Sequence, residues 1–194
     1  MKTTRYLAAL MLLPALAGCV SLGSKAPGHL FSLMPARSAP AGAAVTGRGA
    51  DALIVADPET DKRLAVLRIP VQVSDSSVAY LKDAAWIERP SRQFGSLLAE
   101  TLRASGKRLV LAEDEATAPG SARLSGRLLD MGYDARQSAV VVRFDAIVSN
   151  RDGTMRTQRF ESVVSGVEPD ADAVGPALNE AANDVAGQVA DWVG

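Results

Sequence analysis

Cys19 carries the only thiol of the chain, and its surroundings suit covalent acylation. Lys2 and Arg5 form a short basic head, residues 7–16 are almost wholly apolar, and Leu16-Ala17-Gly18 sets small residues ahead of the thiol. Basic, apolar and small residues in that order mark a secretory signal cut beside a small-residue site. A lipobox Cys supplies the sulfur for a thioether to diacylglycerol. The apolar run is about ten residues, far short of the roughly 20 that cross a bilayer. The sequence therefore reads as a signal peptide (residues 1–18) cleaved before an acylated Cys19, with fatty chains such as palmitate holding the mature N-terminus to a membrane. A single acyl chain binds a bilayer marginally, whereas two or more hold firmly. Val20 follows the thiol. Asp at that position retains lipoproteins in the inner membrane of Gram-negative systems, so Val20 directs the expectation to the periplasmic side of the outer membrane.

Other chemistry is poorly supplied. A Ser-His-Asp or Cys-His arrangement needs an imidazole to take the nucleophile's proton. The single His29 lies ten residues after Cys19, where a solvated or packed ring is the simpler role. A zinc site needs several N or S ligands, and one His with an acylated Cys leaves carboxylates alone. Asp57, Glu59 and Asp61 alternate and could hold Ca²⁺ weakly, but they read more simply as a solvated acidic turn, as does Glu113-Asp114-Glu115. No GxxxxGK[ST] or GxGxxG is present, so any nucleotide chemistry belongs to a partner. No catalytic residue, cofactor or metal is assigned. A hydrolase built on Ser and carboxylates would need a pocket holding close-set Ser, Lys and Asp.

Removal of residues 1–18 takes Lys2 and Arg5 with it. The 176 residues left carry 19 basic against 22 acidic side chains, a net charge of −3. That charge gives no electrostatic footprint for nucleic acid. With its one thiol acylated, the chain has no disulfide, although an oxidising periplasm would permit one.

The elements that must position these residues follow from periodicity. Residues 19–28 are small and polar and read as a lipidated tether. Residues 29–194 read as one domain. Residues 29–35 alternate as a short strand, 36–50 form a loop, and 53–56 are a second strand. Residues 64–73 are β-branched, with Pro70 marking an edge, a bulge or a strand end. Residues 78–86 read as a short strand followed by a turn. After Pro90, Ser91 is the expected N-cap of a helix. Phe94, Leu97, Leu98, Thr101 and Leu102 fall on one helical face, and Gly106 ends it. A short strand at 109–111 and a loop at 113–120 come next. Three long strands follow at 122–133, 139–149 and 155–164, with Gly126 as a candidate bulge and Asn150-Arg151-Asp152-Gly153 as a turn. In the second of them Val140, Val142, Phe144, Ala146 and Val148 line one face. A helix over 172–193 closes the chain. This succession predicts an α+β fold, a mostly antiparallel sheet with two helices packed on one face.

Tyr80 and Trp86 are the conspicuous aromatics before the first helix. Core packing is the default for such rings, and an interface anchor is the alternative. The same stretch carries a family resemblance. The lipobox at Cys19, HLFSLMP, VAYLKDAAWIERPSRQFGSLLAETLRASG, ARLSGRLLDMGYD…AVVVRFDAIVSN and PALNEAANDVAGQVADWV occur in that order. Together they resemble the ABC-type transport auxiliary lipoprotein family, which includes the paraquat-inducible protein C type, from about Gly28 to Val193. The most specific block is Ala79-Tyr80-Leu81, then Asp83-Ala84-Ala85-Trp86 and a Pro before the helix; residues 36–50 do not align.

The resemblance implies a non-enzymatic accessory at the outer membrane, beside a mammalian-cell-entry (MCE) protein with its ABC permease and ATPase, moving phospholipid or related lipids between membranes. It implies no catalytic residues. Some relatives form rings, so a homo-oligomer is among the expectations. Tyr80, Leu81 and Trp86 are the candidate contacts with a partner or a second copy. The competing reading is a structural or assembly lipoprotein of the cell envelope that binds another periplasmic or outer-membrane partner.

Overall fold

Three long strands form the backbone of the fold because each keeps a buried face over many residues. The computed structural model describes residues 26–115 and 121–194. The expected signal peptide, Cys19 and most of the tether lie outside the described residues. In chain order the elements are β1 (His29–Phe31), β2 (Leu53–Val55), β3 (Glu59–Thr60), β4 (Pro70–Gln72), β5 (Val78–Tyr80), β6 (Ala84–Trp86), α1 (Pro90–Ala104), β7 (Val110–Ala112), β8 (Ala122–Asp134), β9 (Ala139–Ser149), β10 (Met155–Ser165) and α2 (Ala171–Val193).

The main sheet runs β10-β9-β8-β2-β7, and β10–β9 and β9–β8 are antiparallel throughout. The other edge of β8 is served in turn by three short strands, β2, β3 and β4, all parallel to it. β2 also pairs parallel with β7, and β5 pairs antiparallel with β4. The fold is α+β, as the pattern predicts. The sheet is mixed, with its long pairings antiparallel and its short ones mostly parallel. A strand's alternation reports which face is buried, not the direction of its neighbour, so the parallel pairings leave no trace in the sequence.

The core lies between this sheet and the two helices. In β9 the side chains Val140, Val142, Phe144, Ala146 and Val148 are all buried. Phe144 meets Phe94 of α1 edge to face, ring centroids 5.3 Å apart, a geometry that the ring quadrupoles favour. α2 begins at Asp170, whose carboxylate accepts the Ala173 N–H at 2.8 Å. Its stripe of Val174, Leu178, Ala181, Ala182, Val185 and Val189 is fully buried, and the alanines allow close approach to β9 and β10.

Several local expectations need correction. The bulge of β8 lies between Leu128 and Asp130, not at Gly126. Its effect is to switch the inward parity, so Leu124 and Leu128 face the core before it and Met131 and Tyr133 after it. Gly126 serves a close approach instead. At φ +156, an added Cβ would press on the Phe144 ring at 2.7 Å. Helix α1 starts with Pro90, and the N-cap is Arg89, which makes no side-chain cap bond. Pro suits the first helical position because its missing N–H would be unbonded there anyway. Ser91 is therefore inside the helix. Of residues 64–73, only Pro70–Gln72 are strand, with Pro70 in the first position, where no ladder donor is lost. Residues 78–86 contain two strands, separated by Asp83 at φ 54.

Candidate docking surface

The segment from Val78 to Ile87 changes partners halfway. β5 pairs with β4, placing Tyr80 opposite Pro70. After the turn at Asp83, β6 pairs parallel with β1, aligning Ala84 with His29, Ala85 with Leu30 and Trp86 with Phe31. Backbone bonds pin the turn from both sides: His29 N–H donates to Asp83 at 2.9 Å, Leu81 N–H to Ile69 at 2.9 Å, and Trp86 N–H to Leu67 at 2.7 Å.

These bonds sort the three candidate contact residues. Trp86 is 1% exposed and stacks edge to face on Phe31, centroids 6.2 Å apart, so its ring belongs to the core. Among the described residues its Nε1–H has no hydrogen-bond partner. Leu81 is buried as well. Tyr80 alone keeps its ring partly at the surface, with the Arg68 guanidinium 3.8 Å above the ring centroid, a cation–π contact. Val73 and Val78 are exposed on the same β4–β5 hairpin. On the outward side of the β1–β6 ribbon stand Leu30 at 63% and Ile87 at 56% exposure, with Leu67 at 45% beside them.

The chain leading away from the ribbon is tied down by side chains of both helices. Leu33 N–H donates to Gln93 Oε1 at 2.8 Å, Met34 N–H to Asn179 Oδ1 at 2.8 Å, and Ala36 N–H to Asn183 Oδ1 at 2.7 Å. Asn183 Nδ2 donates back to the Met34 carbonyl at 2.9 Å, and Ala39 N–H donates to Glu100 Oε1 at 2.9 Å. Amide and carboxylate side chains thus replace a neighbouring strand for this strap. Sequence reasoning missed these positions; the only signal was the amide pair Asn179 and Asn183 one helical turn apart.

The outer face of β8–β10 is different in kind. Asp130 accepts from Arg63 at 2.7 Å and from Arg143 at 2.6 Å, and Arg143 also pairs with Glu161. Arg159 holds Asp145 through two bonds of 2.6 and 2.7 Å. Nearby, Asp134 is buried and accepts from Arg136 at 2.6 Å and Gln137 at 2.9 Å. The Arg136 hydrogen bonds hold the Asp134 carboxyl down at about 2, against the opposing pull of burial. The Arg159 guanidinium lowers Asp145 in the same way. A cleft of about 530 Å³ opens here, lined by Arg63, Asp130, Asp134, Arg136 and Arg143 among others, and these side chains are already paired with one another.

The remaining candidates do not converge. His29 Nδ1 is 3.6 Å from Asp172 at the surface. Asp61 bonds Arg63, while Glu59 lies in β3. Among the described residues no three His, Cys, Asp or Glu side chains are grouped to hold a metal, and no helix is long and apolar enough to cross a membrane. Cys19 lies outside the described residues.

Comparison with known proteins places the geometry. The sequence model of the ABC-type transport auxiliary lipoprotein component matches residues 31–190. A crystal structure of an uncharacterized protein superposes with a TM-score of 0.68 at 13% identity, covering 86% of this chain and 98% of that one. Protein XCC0632 from Xanthomonas campestris superposes at 0.65 and 19% identity, over 86% and 92% of the two chains. These two likenesses establish the fold. The PelC dodecamer from Paraburkholderia phytofirmans matches at a TM-score of 0.43 and 15% identity, over 76% and 91%. No curated protein matches at a significant level.

Proposed function

Since this chain belongs to the family of ABC-type transport auxiliary lipoprotein components, we propose that it is a non-enzymatic accessory of an MCE-type system moving phospholipid or related lipids across the periplasm. The family match over residues 31–190 carries this reading. The surface supports it: the described residues offer an exposed apolar edge and a paired-off ionic face. Acylated Cys19 anchors the protein at the outer membrane, and residues 20–28 tether the domain to it.

The partner contact is centred on Tyr80. Its half-buried side chain and the exposed Val73 and Val78 sit on a hairpin whose outer strand, β5, is bonded on one side only. An edge strand with apolar side chains is a natural template for a partner or a second copy. Leu81 and Trp86 act from beneath, fixing the position of the hairpin.

Purification of the tagged protein from detergent-solubilised envelopes tests the reading. The MCE-domain protein, permease and ATPase are the expected companions. Reproducible recovery of other envelope proteins without any of these three would instead support a structural or assembly role. Cys19→Ala is expected to abolish palmitate incorporation and leave uncleaved or soluble precursor; unchanged membrane association with normal labelling would refute the anchor.

A further inference from the structure

We infer that the outward side of the β1–β6 ribbon, formed by Leu30, Ile87 and the adjoining Leu67, rests on an anionic phospholipid surface. This inference rests on the reading of Cys19 as a lipid anchor. Single exposed apolar residues are ordinary, but a contiguous group calls for an occupant. Here backbone pairing sets the three residues on neighbouring segments. The parallel register puts Leu30 beside Ala85, the Ile87 N–H donates to the Phe31 carbonyl at 2.9 Å, and the Leu67 carbonyl accepts from Trp86 on the other flank of β6. Phe31 and Trp86 point inward, so Leu30 and Ile87 are held outward.

The charge around the group selects the occupant. Arg68 neighbours Leu67 in the chain, and Arg89 lies two residues after Ile87. Neither forms an ion pair with a carboxylate among the described residues. Of the acids close by, Asp83 faces Lys82 at 3.8 Å, Glu88 faces Arg92 at 2.9 Å, and Asp172 faces His29 at 3.6 Å. Apolar side chains fringed by uncompensated guanidinium groups match the boundary between acyl chains and anionic headgroups.

The order of the chain favours this face. The tether from Cys19 to Gly28 is ten residues, reaching about 35 Å when fully extended at roughly 3.5 Å per residue. A domain of this size is about 40 Å across. The ribbon begins at the next residue, His29, so it is the part of the domain held nearest the anchor. A second copy is the weaker occupant, because three side chains fall far short of the roughly 800 Å² per partner of a stable protein interface.

The test uses the full lipidated protein in vesicles of phosphatidylethanolamine and phosphatidylglycerol. With the Cys19 sulfur consumed by the thioether, Ile87→Cys supplies the one free thiol for an environment-sensitive fluorophore. Leu30→Cys is the second variant, and Val163→Cys on β10 is the control. Nitroxide-labelled lipid is expected to quench the probes at 87 and 30 at least twofold more than the probe at 163. Equal quenching at all three positions would overturn the inference. So would a blue shift at 87 without lipid quenching, since that would mean cover by protein. The mass of the N-terminal peptide is measured on the same sample. A missing diacylglyceryl adduct removes the anchor reading and this inference with it, whereas an intact adduct with unquenched probes removes this inference alone.

Discussion

The outer face of β8–β10 and the outward side of the β1–β6 ribbon are both open to solvent, yet they differ in what they leave unsatisfied. On the sheet face Arg63, Asp130, Arg143 and Glu161 form a chain of ion pairs, and Arg159 closes on Asp145. Such a face offers a partner little, because every new contact must first displace an existing one. On the ribbon side Leu30, Ile87 and Leu67 are exposed, and among the described residues Arg68 stacks on the Tyr80 ring without an ion pair. That side gains free energy from whatever covers it. The cleft of paired charges on that face is therefore not the place to look for function; the small, incompletely satisfied ribbon and hairpin are.

Both regions stand on one core, and breaking the core should abolish the distinction. Phe144→Ala, which removes a ring packed against Phe94, is expected to cost about 3–5 kcal/mol, and Leu98→Ala about 2–5 kcal/mol. Thermal unfolding measures both. A melting temperature untouched by Phe144→Ala would mean that β9 faces the other way. A smaller and local effect is expected from Asn183→Ala. It removes the bonds to Ala36 and Met34 that fasten the strap, at about 1–3 kcal/mol. Hydrogen exchange should rise in residues 33–39 while the β8–β10 amides stay protected; a uniform rise would show that the strap is part of the global folding unit.

The ionic face should reveal itself through acid. The Asp134 carboxyl titrates near 2 in the folded chain, below its ordinary value of 3.8. Its contribution is thus complete above about pH 4 and is lost as pH falls towards 2. Arg136 is solvent-exposed, so water and salt screen that contribution and keep it small. Asp134→Asn should flatten that part of the acid limb of a pH–stability curve, and an unchanged limb would show that the Arg136 pair carries no stability. The smallest effect on stability belongs to the ribbon: Ile87→Ser should shift folding by no more than about 0.5 kcal/mol. Chemical denaturation checks this, and a loss above about 2 kcal/mol would make Ile87 a core residue.

The sequence made the periodic elements of this contrast visible and concealed the paired ones. The stripe from Phe94 to Leu102 and the alternation from Val140 to Val148 repeat often enough to fix both element and buried face. Even the β8 bulge was legible in principle, since its apolar parity changes between Leu128 and Met131. Three-residue strands such as β1 and β6 carry no such repetition, and their direction depends on a partner more than fifty residues away. Trp86 and Tyr80 looked alike as isolated aromatics. They separate only once the Leu67 carbonyl and Phe31 lock β6 inward while the hairpin leaves Tyr80 under Arg68. The strap bonds to Asn179 and Asn183 span about 145 residues, and nothing local announces them. The lipobox at Cys19 is a local reading of the sequence, and it lies outside the described residues.

If the protein works through its hairpin and ribbon side and not through its ion-paired face, the two surfaces should respond differently to mutation. Co-purification of the transport components with Tyr80→Ala and with Arg159→Ala, from the same envelopes, tests it most directly. Tyr80→Ala is expected to lose the MCE-domain protein and the transporter while its melting temperature falls by no more than about 5 °C, and Arg159→Ala to retain them. Retention by Tyr80→Ala together with loss by Arg159→Ala would contradict it.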